Sequence, residues 1–246
     1  MQKEKDMIFG IRAVIEALKA DKEIDKIFIR RDMGNESTRE LYAALRGRQI
    51  PVIKAPIEKL NRLTMKNHQG VLAFITPIVY QRIADIIPTL YEDGKTPFVV
   101  VLDGITDVRN FGAIARTCEC AGVDAIVVPL RGGAAANADA VKTSAGALLT
   151  IPVCREPNLT EALKFLRASG LKTVAATEKA SKNYTETDYS TPLAIVMGSE
   201  DEGIAPENLR LCDEMVAIPI RGNIASLNVS VAAGVLIYEA LKNREE

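Results

Sequence analysis

With one histidine and four cysteines among 246 residues, the sequence has little from which to build a metal centre. His68 stands alone, and Cys118, Cys120, Cys154 and Cys212 show no paired CxxC spacing, so no metal site is expected. Cys118 and Cys120 would fall on different faces of a helix, and all four cysteines read as reduced, mostly buried thiols. Long apolar runs are also missing. The longest candidate, Val229 to Tyr238, is far shorter than the ~18–20 residues of a membrane span. No apolar signal core follows Met1-Gln-Lys-Glu-Lys-Asp6, so a cytoplasmic protein without membrane association is expected. Neither sign of charge dominates, since the formal net charge is −1. That near-neutrality hides an asymmetry. Residues 1–80 carry 15 basic against 10 acidic residues, or +5, and the remainder is −6. A positive N-terminal part suits phosphate contacts, although a solvated surface on a small domain explains the same excess.

A hydrophobic fraction of 48% and a charged fraction of 26% are ordinary for a globular chain, long enough here for two cores. Helix and strand signals alternate from the start: helix 11–20, strand 24–29, helix 37–46, strand 51–54, helix 57–63 and strand 70–75. This order predicts a small α/β sandwich over residues 1–78. A connector, 79–96, holds one helical stretch (82–91) and ends in the turn signals Asp93-Gly94 and Pro97. Residues 97–246 read as a second domain. Its strands are expected at 98–102, 125–128, 149–153, 172–176, 193–197 and 215–218. Its helices are expected at 112–121, 138–145, 160–168 and 226–242. Val- and Ile-rich strands separated by helix-length segments indicate an α/β fold with a parallel sheet covered on both faces.

Three blocks follow strand-like runs and are dense in Gly, Asn, Ser or acid: Leu102–Arg116, Val196–Gly203 and Ile218–Ser230. In an open α/β sheet the carboxyl ends of the strands are where ligands bind. The first block is not a dinucleotide fingerprint. Gly104 and Gly112 do not make G-x-G-x-x-G, and the next strand ends Val127-Val-Pro-Leu130 without an acid. With a helix starting near Gly112, Asn110 and Arg116 would flank an amino end suited to a phosphate. A surface Arg116 paired with Asp107 is the plain alternative. In the second block, Gly198 and Gly203 permit close main-chain approach. Three consecutive acids from Glu200 to Glu202 beside a phosphate-bearing ligand require that at least one be tied down by polar groups. Asp201 and Glu202 read as a solvated loop. In the third block Ser226 reads as the N-cap of the last helix, with Asn228 inside its first turn. His68 reads as a structural hydrogen-bonding residue.

The three blocks resemble the signature motifs of the SpoU (TrmH-like) ribose 2′-O-methyltransferases of the SPOUT superfamily, over roughly Pro97 to Arg244. Phe9-Gly-Ile-Arg-Ala-Val14 and Asn67-His-Gln-Gly-Val71 resemble the substrate-binding domain of the branch that methylates a guanosine of 23S rRNA. The resemblance implies an L30e-like RNA-binding fold for residues 1–78, a deep trefoil knot in the C-terminal domain, and a homodimer. The last helix, with Val229, Ala232, Ala233, Leu236 and Ile237, permits dimer contact but equally suits a core. It further implies S-adenosylmethionine as methyl donor, held by Gly198, Ile218 and Leu227. Asn110, Arg116, Glu200, Ser226 and Asn228 would be the catalytic residues, and 23S rRNA, or alternatively the D-loop of tRNA, the partner. A non-catalytic rRNA-binding assembly factor is the rival from another class, and an rRNA adenosine methyltransferase conferring antibiotic resistance is a further one. Arginine keeps its proton to a pKa above ~12, so Arg116 suits stabilisation of an alkoxide better than proton abstraction. Val108 stands where many members have proline after the motif-one Asp, a change in loop stiffness rather than chemistry.

Overall fold

The computed structural model describes residues 7–34 and 36–244. It divides into two units, residues up to Val79 with 135–138, and Tyr80–Ala134 with the chain from Asp139 onward.

The first unit runs β1 (Met7–Phe9), α1 (Ile11–Lys19), β2 (Ile24–Arg30), α2 (Glu36–Ala44), β3 (Val52–Ala55), α3 (Ile57–Leu63) and β4 (Val71–Ile75). The sheet order is β1-β4-β2-β3, with β4 antiparallel to both neighbours and β2 parallel to β3. Apolar residues of α1 at helical spacing (Val14, Ile15, Leu18) join Leu41 of α2 over Ile27, Ile29, Val71 and Ala73. On the other face Leu60 of α3 covers Phe28, Ala55 and Leu72. Strand β1 was not foreseen, because three residues are too few to show alternation. His68 is buried at the turn before β4. Its Nδ1 accepts from Gly70 N (3.0 Å) and its Nε2 meets Asn61 Oδ1 (2.9 Å), so both ring nitrogens are occupied.

The second unit begins with α4 (Ile83–Glu92), whose Ile83, Ile87 and Leu90 enter its core. There follow β5 (Phe98–Asp103), α5 (Val108–Cys120), β6 (Ala125–Pro129), α6 (Ala138–Thr143), β7 (Val153–Glu156), α7 (Leu159–Ala168), β8 (Lys172–Ala176), β9 (Leu193–Gly198), α8 (Pro206–Leu209), β10 (Glu214–Val216) and α9 (Val229–Lys242). All five strand pairings are parallel, in the order β10-β8-β9-β5-β6-β7. Helices α4 and α7 cover the face bearing Val99, Val101, Val127, Ala175 and Val196. Helices α5 and α9 pack on each other, with α9 also over β9, and cover the opposite face. Burial on both faces explains why these strands read as continuous apolar runs. The chain winds outward through β5, β6 and β7, then restarts at β8 and inserts β9 beside β5. The winding reverses at β5 and β9, and their carboxyl ends border the crevice where such sheets bind ligands.

Three expected boundaries are corrected. Helix α5 starts at Val108 rather than near Gly112, because Asp107 caps it, its Oδ1 accepting from Arg109 N and Asn110 N at 2.8 Å each. The strand expected at 149–153 starts at Val153. The left-handed Ala145 and Gly146 end the preceding helix, and residues Ala147–Leu149 form a 3₁₀ turn. Helix α9 starts at Val229, three residues after the expected cap. Cys118 and Cys154 are buried, Cys212 is half-buried and Cys120 is exposed, and all are free thiols. Burial pushes the Cys154 thiol up to about 12. No described helix is long and apolar enough to cross a membrane.

Gly112 fixes how closely α5 approaches α6, since a Cβ there would lie 2.8 Å from Ala140 O and 2.7 Å from Thr143 Cβ. Alanine gains roughly 1 kcal/mol in helix propensity, yet overlap with a backbone carbonyl outweighs this. Gly112→Ala should destabilise the second unit by about 1–3 kcal/mol in denaturant unfolding. At the sheet edge Glu214 accepts from Lys182 Nζ (2.6 Å) and Thr187 Oγ1 (2.9 Å) and pairs with Lys172 (2.9 Å). These contacts, the Lys182 hydrogen bond foremost, hold its carboxyl at about 2, below the ordinary 4.5. A depressed carboxylate contributes stability that is fully present above pH 4.5 and is lost as pH falls toward 2. Thermal unfolding across that window should show a decline that is smaller in Glu214→Gln.

Candidate functional site

Three polar loops meet at the carboxyl edge of the second unit, following β5, β9 and β10. After β9 the chain closes on itself at once. Ser199 N donates to Gly203 O (3.1 Å), Gly203 N donates back to Ser199 O (3.0 Å), and Ser199 Oγ accepts from Glu202 N (3.1 Å). The turn is so tight that a Cβ on Gly198 would lie 2.1 Å from the carbonyl carbon of Gly203, which explains glycine at that position. Asp103, at the end of β5, anchors the far side. Its Oδ2 accepts from Ala205 N and from the buried Asn208 Nδ2, at 2.9 Å each. The loop is thereby held from both ends, with Glu200 at its crest.

Glu200 is where the three blocks join. Its Oε1 accepts from Asn228 Nδ2 (2.7 Å), Val229 N (3.2 Å) and Asn110 Nδ2 (3.3 Å). Asn228 Nδ2 also donates to Asn110 Oδ1 (3.0 Å), so the three side chains form a closed ring. A carboxylate at the amino end of α9 is favoured by the helix dipole and by the free Val229 N–H. This accounts for one of the three consecutive acids; Asp201 and Glu202 are exposed. Asn228, not Ser226, is the N-cap of α9, its Oδ1 accepting from Ser230 N at 2.9 Å. The cap expectation for Ser226 is therefore wrong. A capping asparagine keeps its amide group free to donate sideways, whereas the serine hydroxyl, three residues before the helix, is too far from its first turn.

Beside the ring lies an open cleft with a cavity volume of about 130 Å³. Gly198, Glu200, Ile218, Ser226 and Leu227 line it, so every residue expected to hold the cofactor is present. Thr177, Glu178, Val216 and Ile220 also line it. Sequence reasoning did not single out these four; Thr177 and Glu178 follow the strand ending at 176, Val216 ends β10, and Ile220 lies within the third block. Val216, Ile218, Leu227 and Ala232 give an apolar wall suited to an aromatic base, while Glu178 and Glu200 supply carboxylates toward a cationic group. Asn110, Asn228 and Arg116 do not line the cleft. Arg116 is exposed and makes no hydrogen bond or ion pair among the described residues. Its six-residue separation from Asn110 turns its side chain about 120° around α5. Asp107, spent on the cap, is not its partner. Among the described residues no group of three His, Cys, Asp or Glu is placed to hold a metal ion.

This geometry defines a parallel α/β domain whose site is built by three strand-end loops. The SpoU rRNA methylase family model matches residues 97–238, and the RNA 2′-O ribose methyltransferase substrate-binding model matches residues 7–81. The chain belongs to the SpoU rRNA methylase family. It is 32% identical over 244 residues to Bacillus subtilis YacO, named for the TrmH family of tRNA/rRNA methyltransferases, covering 99% of this chain and 98% of that one. It is 33% identical over 242 residues to the 23S rRNA (guanosine-2′-O-)-methyltransferase RlmB of Photobacterium profundum, covering 98% of each. Among solved structures, the AdoMet-bound rRNA methyltransferase of Sinorhizobium meliloti is 26% identical with a TM-score of 0.61, covering 98% of this chain and 89% of that one.

Asn228→Ala removes the cap of α9 and two donors of the ring. It should cost about 1 kcal/mol through the cap alone, and amide exchange should show the first turn of α9 and the Glu200 loop loosening together. Protection that changes at α9 but not at the loop would mean that the ring does not couple them.

Proposed function

We propose that the chain is an S-adenosylmethionine-dependent ribose 2′-O-methyltransferase acting on a guanosine of 23S rRNA in the cytoplasm, as a homodimer. The observation that carries this is the Asn110–Glu200–Asn228 ring at the rim of the cleft, three family motif residues drawn from three separate loops. The guanosine target is supported by RlmB-named relatives at about a third identity over nearly the whole chain. Val231 and Tyr238 of α9, 52% and 51% exposed, support a second copy as partner. The return of the chain from β10 to α9 over α5 and β9 is compatible with the knotted path implied by the resemblance.

The cleft would hold the donor between the apolar wall of Val216, Ile218 and Leu227 and the main chain around Gly198. When bound, S-adenosylmethionine supplies an electrophilic methyl group on a sulfonium. The protein's part is alignment and charge. The ring fixes the α9 terminus and the Glu200 loop against each other, holding the cleft wall in one geometry before substrate arrives. Arg116, outside the cleft lining, would offer its guanidinium to charge growing on the 2′-oxygen. The first unit, with its basic excess, would select the RNA.

Labelled methyl transfer to unmodified 23S rRNA and, in parallel, to unmodified tRNA tests the reading. The expected product is 2′-O-methylguanosine from 23S rRNA alone. Label in tRNA alone would move the target and keep the chemistry; label in neither would favour an RNA-binding assembly factor. Arg116→Ala should slow transfer by about 10²–10³-fold with cofactor affinity unchanged, and full activity in this variant would remove Arg116 from the mechanism.

A further inference from the structure

We propose that Arg109 and Arg131, neither of them in the ring nor in the cleft, grip backbone phosphates of the RNA strand beside the reacting ribose. The inference rests on the reading of the second unit as an RNA-modifying domain and adds the contacts by which it holds the strand.

The unit is acidic, and three acids crown one of its site loops, so a polyanion approaching this edge needs cations placed there. Several arginines of the unit are engaged. Arg82 pairs with Glu156, Arg167 with Asp213, and Arg244 donates to the carbonyls of Thr96, Pro97, Tyr189 and Thr191. Arg109 and Arg131, like Arg116, Arg210 and Arg221, are not, and they are set apart by where they stand. Both are exposed, and neither side chain makes a hydrogen bond or ion pair among the described residues.

Their placement converges on the site. Arg109 is the second residue of α5 and directly precedes Asn110, a member of the ring. Arg131 lies two residues past the end of β6, on a loop that turns back so that Ala134 N donates to Ile105 O (2.8 Å), in the segment leading into α5. The two residues thus stand at neighbouring strand ends, those of β5 and β6, while the cleft is lined from the ends of β8, β9 and β10. Asp107 is held by its capping bonds and forms no ion pair with either. A guanidinium offers paired donors in the geometry of a phosphate, which favours arginine over lysine for this task. A ribose hydroxyl is reached most readily on an unstacked single strand, whose phosphates would then run along this edge.

Binding of a 23S rRNA transcript should be followed against salt concentration for the full-length protein, Arg109→Ala, Arg131→Ala and the double variant. Arg210→Ala serves as control. It removes an arginine that is also exposed and without a hydrogen bond or ion pair among the described residues, at the end of α8, where the following Leu211 carbonyl meets Thr173 at the amino end of β8, the opposite edge. Each phosphate contact on a single strand contributes about 0.7 to the slope of log K against log salt, so the double variant should lose roughly 1.4. The KM for RNA should rise and that for S-adenosylmethionine stay fixed. Slopes equal to the unmodified protein, or the same loss in Arg210→Ala, would overturn the inference, the second by showing that net charge alone matters. Methyl transfer by the unmodified protein reports separately on the function itself. If that fails, the slope comparison still decides whether these arginines hold RNA.

Discussion

The carboxylate of Glu200 is the point on which the site's construction depends. One oxygen receives the Asn228 amide, the Val229 N–H and the Asn110 amide, and so ties the loops after β5, β9 and β10 to one another. A charge with three donors at a helix amino end is stabilised where a free one would repel an RNA substrate. Removing the carboxylate would leave the helix terminus, the crest of the turn and the first turn of α5 without their shared partner. The ring therefore does structural work whatever else its members do, and the cleft inherits its shape.

The ring is itself supported from below. Asp103 holds the Ala205–Asn208 segment, Asn208 is bonded onward to Thr160 of α7, and Gly198 allows the turn to fold flat on its strand. This arrangement sits where the winding of the sheet reverses, the one place at which two adjacent strand ends diverge and leave an opening. Near it stand Arg109 and Arg131, without a hydrogen bond or ion pair among the described residues, and beside it lies the apolar cleft. A strand of RNA and a small cofactor could thus be brought to the same edge from different directions.

Much of this is legible in the sequence. Val and Ile runs between helix-length segments gave the parallel sheet, because strands buried on both faces must be apolar throughout. Gly198, Ile218 and Leu227 were marked by their motifs, and all three line the cleft. Errors fell at helix starts and short elements. Asp107 and Asn228 each cap a helix that periodicity placed elsewhere, since a cap lies outside the apolar repeat that signals the helix. Thr177, Glu178 and Val216 carry no motif, and only their position at strand ends puts them in the cleft.

Composition and pattern by themselves determined the fold class, the two-part organisation of the secondary structure and the residue types available for chemistry, because these depend on local periodicity and on which groups can be buried. Only the tertiary structure decided which of those residues meet. Asn110, Glu200 and Asn228 are separated by 90 and 28 positions, yet share hydrogen bonds, and Arg116, six positions from Asn110, points elsewhere. Contact across such distances is set by strand order and by the angle of each residue about its helix, and neither is written in the spacing of a motif.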